Sequence, residues 1–289
     1  MLQKLFSKRW LTRIMIALLC MLLLPSVSPS MAKAEDEQDD WNLVGQVGGT
    51  TKALALDGST LYVGSGLHVL AMDVSDPAAI ALLGTSPLLP DFVESITVGE
   101  NGKLYVACGL SGLVVLDVSD PSKMNIAGTF DTSGYTESVA LEGKYALVAD
   151  GPQGLQVLDV SNPAKIATVS EAYPLAYAYD VVLSDATAYL AGGGSGLFTV
   201  DLTDPLHPKE AGLTSLDGFT YDLQPHGGRL YAACAWGGIS VLDLQTPLAP
   251  KQIAVSPTSG WAMSLGEMGN DLLVFDGADG VMLYGTAPT

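Results

Sequence analysis

The sequence contains few cysteine, histidine and basic residues, and these shortages exclude several kinds of chemistry. Its 289 residues include 3 Cys, 3 His and 13 Lys plus Arg, against 31 Asp plus Glu. No two of His68, His207 and His226 have the spacing of zinc ligands. The formal charge of −18 disfavours nucleic acid and anionic lipid as partners. The sequence also lacks a nucleophile elbow, a phosphate-binding loop and a dinucleotide fingerprint.

The N-terminal segment has the features of an export signal. Four basic residues and no acid lie in the first thirteen positions, an apolar run from Ile14 to Leu24 follows, and Ala32 and Ala34 are small. This order predicts a cleavable signal peptide over residues 1–34. The alternative is an uncleaved anchor, for which the apolar run is short. Removal of the segment leaves 8 basic and 31 acidic residues, a formal charge of −23. We therefore expect a secreted protein, extracellular or periplasmic, with no membrane span in its mature chain.

Residues 35–40 read EDEQDD, which is the one true charge run of the chain. We interpret this run as a solvated spacer behind the cleavage site. The alternative is a contact with calcium or with a partner.

The remainder of the chain repeats itself about every 42 residues. The segments GLVVLDVSDP, from Gly112, and GLQVLDVSNP, from Gly154, are two copies, and HVLAMDVSDP, from His68, is an earlier one. From the second copy onward, a glycine at the start of the third β-rich run recurs at this interval, at Gly112, Gly154, Gly196, Gly238 and Gly280. Each unit contains four short β-rich runs separated by turn residues, for example Glu137 to Leu141, Lys144 to Ala149, Gly154 to Val160 and Lys165 to Ser170.

Six copies of a four-stranded unit of about forty residues predict an all-β fold, a six-bladed β-propeller of antiparallel blades. The chain stops six to nine residues after its last third-strand segment, so the sixth blade lacks a fourth strand of its own. Residues 41–47, WNLVGQV, resemble the fourth strands of other units. We expect this N-terminal strand to complete the last blade, so that residues 41–289 form one propeller domain.

The repeats resemble the LVIVD repeat family, whose name spells the motif found here as LVVLD, from Leu113, LQVLD, from Leu155, and ISVLD, from Ile239. The resemblance covers essentially the whole mature chain. It implies a bacterial or archaeal propeller that is secreted or held at the cell surface. The family as a whole has no established chemistry to carry over.

Two sets of repeat positions predict structural roles. Cys108 and Cys234 occupy equivalent positions in blades two and five, which face each other across a six-fold ring. We expect buried free thiols there, since the two are too far apart for a disulfide. The aspartate that ends each third strand, as in Asp117 and Asp159, is expected to form turns on the opposite rim from the candidate site.

Aromatic residues mark one rim of the predicted channel. Five of the six blades carry one just before the innermost strand, namely Phe92, Tyr135, Tyr177, Phe219 and Trp261. Trp236 breaks the repeat, and with Trp261, Tyr221 and Tyr179 it forms the predicted contact patch. This patch would bind a sugar ring, an aromatic ligand or an apolar side chain of a partner. The alternative is that the aromatic column packs between neighbouring blades at every copy.

Four acids near the same rim are candidates for chemistry: Glu94, Glu137, Asp180 and Asp222. They would form a calcium site or an acid–base pair if they converged on one point. The alternative is that they bond backbone amides of the inner strands, as the serines at equivalent positions would.

Three functions are compatible with these features. We favour a secreted or cell-surface module that binds a protein or glycan at the rim, as a monomer and without a cofactor. The alternative is a calcium-dependent hydrolase or lactonase-like enzyme with the metal held by the rim acids. The third is an envelope component with no small ligand.

Overall fold

The computed structural model describes residues 51–173, 177–268, 271–278 and 280–285. The expected signal peptide, the acidic run and the closing strand at 41–47 lie outside these residues. Within them the chain forms six antiparallel β-sheets that follow one another in sequence order. The fold is a six-bladed β-propeller, as the repeat predicted.

The first three blades have four strands each. Blade 1 comprises β1 (Leu54–Asp57), β2 (Thr60–Ser65), β3 (His68–Asp73) and β4 (Ala81–Thr85). Blade 2 comprises β5 (Ser95–Val98), β6 (Lys103–Ala107), β7 (Leu113–Asp117) and β8 (Asn125–Phe130). Blade 3 comprises β9 (Ser138–Glu142), β10 (Tyr145–Ala149), β11 (Leu155–Asp159) and β12 (Ala167–Tyr173).

Blades 4 and 5 repeat this arrangement, and three strands of blade 6 are described. Blade 4 comprises β13 (Asp180–Ser184), β14 (Thr187–Ala191), β15 (Leu197–Asp201) and β16 (Lys209–Thr214). Blade 5 comprises β17 (Asp222–His226), β18 (Arg229–Ala233), β19 (Ile239–Asp243) and β20 (Lys251–Ser256). Blade 6 comprises β21 (Ala262–Met268), β22 (Asp271–Asp276) and β23 (Gly280–Gly285).

The first strands of consecutive blades contact one another, from β1 to β21, and therefore lie innermost. Because the strands are antiparallel, the loops that precede each first strand share one rim with the loops between second and third strands. We call this the upper rim. The remaining turns, from first to second and from third to fourth strand, form the lower rim.

The glycine column of the repeat is explained by the backbone at the start of each third strand. Its five members have φ between 73° and 97°, in the left-handed region that a β-carbon disfavours. A β-carbon on Gly112 would also meet the carbonyl oxygen of Phe130 at 2.3 Å. Glycine is therefore required at this position for two reasons: the positive φ and the lack of space for a β-carbon.

The hydrophobic core lies between blades. Val69 and Ala71 of blade 1, for example, share a buried cluster with Leu104 and Val106 of blade 2. Similar clusters join blades 2 and 3, 3 and 4, 4 and 5, and 5 and 6. Blades 2 to 5 are thus covered on both faces by their neighbours, which is why their third strands are apolar at nearly every position.

The lower rim is built from aspartate turns, as expected. The side chain of Asp117 accepts a hydrogen bond from the Ser119 amide at 3.0 Å, and Asp159 does the same with Ser161 at 2.9 Å. Equivalent bonds begin the turns of blades 1, 4 and 5. The Asn-Pro pair of blade 3 starts a 3-10 turn over Pro163–Lys165, so β12 begins at Ala167, later than the run predicted from Lys165.

No helix among the described residues is long and apolar enough to cross a membrane.

Candidate functional site

Neighbouring blades are joined at the upper rim by isolated β-bridges. The loop between second and third strands of one blade pairs with the segment preceding the first strand of the next, at Gly109–Thr136, Gly151–Ala178, Gly193–Thr220 and Ala235–Ala262. Each bridge fixes the aromatic residue that directly precedes its second member. The loop glycines leave room for these rings, because a β-carbon on Gly193 would meet the Phe219 ring at 2.7 Å. For Tyr135, Tyr177 and Phe219 the interpretation as packing between blades therefore holds in part.

Six aromatic side chains of blades 4, 5 and 6 touch in a continuous series, which we call the aromatic patch: Tyr177, Tyr179, Phe219, Tyr221, Trp236 and Trp261. The rings of Tyr177 and Tyr179 stack at 4.3 Å between centroids. Phe219 lies 6.4 Å from Trp236, which lies 5.9 Å from Trp261. The four residues predicted as the contact patch are thus brought together, and Tyr177 and Phe219 join them.

The two tryptophans are the exposed end of the aromatic patch. Trp236 is 61% exposed and Trp261 is 53% exposed, whereas the other four members are half-buried. Trp236 follows Ala235, whose φ of 47° places a β-carbon in the left-handed region at a position where blades 2, 3 and 4 have glycine. An exposed tryptophan next to a strained residue is costly in a structural role, so this loop is the best candidate for a contact site.

Phe92 and Tyr135 lie on the same rim but outside the aromatic patch, since no described ring contact connects them to it. Phe92 is 58% exposed. Tyr135 is half-buried, and its hydroxyl donates a hydrogen bond to Glu94 at 2.6 Å. The sequence therefore placed these two residues on the correct rim without showing that they stand apart.

Glu94 and Glu137 are each held by a tyrosine of the following blade. Glu94, whose side chain is 6% exposed, also forms an ion pair with Lys52 at 2.6 Å. Glu137 accepts a hydrogen bond from the Tyr177 hydroxyl at 2.8 Å. Burial raises the pKa of Glu137; the Tyr177 hydrogen bond opposes this rise, and the Glu94 carboxylate adds to it. Among the described residues no lysine or arginine forms an ion pair with Glu137.

Asp180 and Asp222 bond to neighbouring blades. Asp180 accepts hydrogen bonds from the Ser138 hydroxyl at 2.7 Å and from the Leu223 amide at 3.0 Å. Asp222 accepts them from the Ser264 hydroxyl and the Leu265 amide, both at 2.7 Å. These contacts are of the kind expected if the acids bond backbone amides of inner strands. Together they link blades 3, 4, 5 and 6 around the channel.

Within the described residues, the carboxylates of the four candidate acids do not form a metal site. These acids are Glu94, Glu137, Asp180 and Asp222. Residues 51–173, 177–268, 271–278 and 280–285 contain no group of three or more His, Cys, Asp or Glu side chains that could hold a metal ion. A cavity of about 1080 Å³ runs along the inner strands, with Thr97, Ser138, Asp180 and Gln224 among its lining residues. Its walls are residues of the strands and of lower-rim turns such as Gly102 and Gly143, and no residue of the aromatic patch lines it.

Cys108 and Cys234 are both buried free thiols, as predicted. Burial raises the pKa of the Cys108 thiol to about 12, with smaller contributions from Asp91 and Glu94. Burial also raises the pKa of Cys234. A raised pKa disfavours the thiolate, which is the nucleophilic form of cysteine, at neutral pH.

One feature of the rims was missed from the sequence, namely the distribution of basic residues. Lys52 lies on the upper rim. The other basic residues of the described chain begin second or fourth strands or lie in the turns before them, and so belong to the lower rim: Lys103, Lys123, Lys144, Lys165, Lys209, Arg229 and Lys251. The repeat period contained this signal, because each of these residues falls near one of two places in its unit, the start of the second strand or the start of the fourth.

Comparison with known proteins identifies the repeat and the fold. A family model described as LVIVD repeat matches residues 48–86, 93–132, 133–172 and 176–214, more than half of the chain. No curated protein matches the sequence.

Three solved structures are similar to this chain. The computationally designed Ika8 protein has a TM-score of 0.64 and 11% identity, over 82% of this chain and 71% of its own. The Cps50 (Swd1) propeller domain of Myceliophteria thermophila has a TM-score of 0.66 and 9% identity, over 84% and 85%. BamB from Moraxella catarrhalis has a TM-score of 0.57 and 15% identity, over 83% and 84%. At these identities the likeness shows the fold alone.

Proposed function

The chain belongs to the LVIVD repeat family, and from that membership and the geometry of its upper rim we propose that it is an exported, non-enzymatic binding protein. Its contact site is the aromatic patch. The export signal predicted over residues 1–34 places it outside the cytoplasm. It works as a monomer and without a bound cofactor.

One observation carries this proposal: the aromatic patch is continuous over three blades and ends in two tryptophans that are more than half exposed. Large aromatic side chains at a protein surface supply much of the binding energy where partners meet. Trp236 in addition departs from the repeat, so blade packing does not explain it.

The rim acids give the hydrolase alternative no comparable support. Asp180 and Asp222 are engaged with hydroxyls and amides of adjacent blades, and Glu94 with Lys52 and Tyr135. A general acid, a general base or a metal ligand must instead face a substrate or an ion.

The test is a binding screen of the full-length protein against a glycan panel and extracted envelope proteins, with calcium and with chelator. A W236A/W261A variant removes the exposed end of the aromatic patch. An L206A/L248A variant is the matched control, because Leu206 and Leu248 are exposed apolar residues of lower-rim turns, 49% and 40% exposed.

We expect at least one ligand that the tryptophan variant loses and the leucine variant retains. A ligand retained by both variants but lost with chelator would replace the proposed site with a metal-dependent one. The absence of any ligand in every condition would contradict the proposal.

A further inference from the structure

Three of the six ring contacts in the aromatic patch are steep. The interplanar angle is 66° between Tyr179 and Phe219, 72° between Tyr179 and Tyr221, and 66° between Trp236 and Trp261. Such edge-to-face packing produces a surface of ridges and notches. Notches suit separate side chains of a peptide, whereas a sugar ring stacks best on a flat and open aromatic face.

The charges of the upper rim favour a cationic occupant. Its one described lysine or arginine, Lys52, is already paired with Glu94. Asp131 and Asp217 are exposed in the loops before Tyr135 and Phe219. The backbone of Asp217 packs against Gly237, the residue after Trp236, which places this acid beside the aromatic patch. An approaching anion would meet these acids without compensation, whereas an approaching cation would meet one lysine, Lys52, whose charge is already paired with Glu94.

On the lower rim, by contrast, several acids are paired with lysines of the same rim. Lys103 pairs with Asp117 at 3.1 Å, and Lys144 pairs with Asp159 at 2.9 Å. Net acidity is common to the whole surface, but on the upper rim an exposed acid, Asp217, lies beside the continuous aromatic patch.

Glu137 adds a third observation. Its carboxylate accepts a hydrogen bond from the hydroxyl of Tyr177, whose ring stacks on that of Tyr179. Lys52 acts on Glu137 electrostatically, but no described lysine or arginine forms an ion pair with it. The adjacent Glu94 shows how a cation satisfies the equivalent position, through Lys52. A lysine or arginine from outside would meet both a carboxylate and tyrosine faces at Glu137.

We propose that the partner segment docking on the aromatic patch is a polypeptide that alternates lysine or arginine with apolar residues. Its apolar side chains pack in the notches of the patch, and its cations pair with Glu137 and Asp217. This inference rests on the proposed function, because it names the partner class for the same patch.

The test measures fluorescence anisotropy of three fluorescein-labelled hexapeptides with the full-length protein. One alternates leucine with lysine, one leucine with glutamate and one leucine with glutamine; a neutral hexasaccharide serves as competitor. We expect the lysine peptide to bind at least tenfold more tightly than the other two, which is about 1.4 kcal/mol. We also expect its affinity to fall as sodium chloride is raised, because salt screens charge pairs.

The variants separate docking from general attraction to an acidic protein. W236A/W261A keeps every charge and should weaken the lysine peptide about tenfold or more. E137Q/D217N should remove most of the preference for lysine over glutamine. E100Q is the matched charge control, because Glu100 is an exposed acid of a lower-rim turn, and should change nothing.

Two results would overturn the inference. In the first, the three peptides bind alike; in the second, the lysine peptide binds wild type and W236A/W261A equally. If the hexasaccharide binds and depends on Trp236 and Trp261 while the peptides do not, the partner class is wrong and the proposed site stands. If no probe depends on the two tryptophans, both this inference and the proposed site fail.

Discussion

Removal of the Asp222 carboxylate should destabilise the propeller at the joint between blades 5 and 6. The carboxylate accepts two hydrogen bonds from blade 6, from the Ser264 hydroxyl and the Leu265 amide. Leu265 is fully buried, so its amide has no access to water when the acceptor is gone. Asp222→Ala therefore removes a charged acceptor from a buried donor.

The expected size follows from the type of bond. A hydrogen bond to a charged acceptor contributes about 1.5–3 kcal/mol. With two such bonds at a half-buried carboxylate, we expect Asp222→Ala to lower the apparent free energy of unfolding by about 3 kcal/mol. Asp222→Asn keeps one neutral acceptor and should cost about half as much.

Urea denaturation of the full-length protein, with and without calcium, measures these differences. Asp131→Ala is the control, since Asp131 is an exposed acid on the same rim, and it should stay within about 0.5 kcal/mol of wild type. If Asp222→Ala is as stable as wild type, Asp222 is not a structural link. If calcium stabilises wild type and not the variant, a metal ligand must be assigned there.

Three further predictions concern packing, ionisation and thiol reactivity. Gly128→Ala should destabilise the fold by about 1–3 kcal/mol in the same assay, because its β-carbon would overlap the carbonyl of Pro163 in the next blade; unchanged stability would contradict this close approach. Burial raises the pKa of Glu137, so the stability this group contributes is present below its unfolded pKa and lost as pH rises through the folded value. Glu137→Gln should accordingly be at least as stable as wild type in thermal melts at pH 7 and gain nothing at pH 4, and a loss of stability at pH 7 would refute the sign. Cys108 and Cys234 should resist a thiol reagent at pH 8 until denaturant is added, because burial raises both pKa values; rapid labelling of native protein would contradict their burial.

The repeat was sufficient to predict the blades because each constraint recurs at the same position. The glycine before the third strand has a positive φ in five of the six copies, and the aspartate at the end of the strand accepts the same backbone hydrogen bond in blades 1 to 5. Such local requirements are visible in a single sequence. The start of β12 was placed too early, because Pro163–Lys165 forms a 3-10 turn where an extended run was expected.

The candidate site was only partly predictable, because it depends on ring orientation and on contacts between blades. The period placed Tyr135 and Tyr177 at equivalent positions, but only Tyr177 belongs to the aromatic patch. Likewise, the sequence could not show that Asp180 bonds to blades on both sides of its own. Side-chain rotamers and inter-blade distances decide these cases, and neither is encoded in residue spacing.

The bridges between blades also determine how the upper rim responds to mechanical force. At the last of them Ala235 and Ala262 exchange both hydrogen bonds, at 3.0 and 3.1 Å. A pull on Trp261, which directly precedes Ala262, therefore loads two bonds at once, and both must break before blade 6 peels from the loop that carries Trp236. The two hydrogen bonds between Ala235 and Ala262 therefore transmit a force applied at Trp261 to blade 5, so that blades 5 and 6 resist it together.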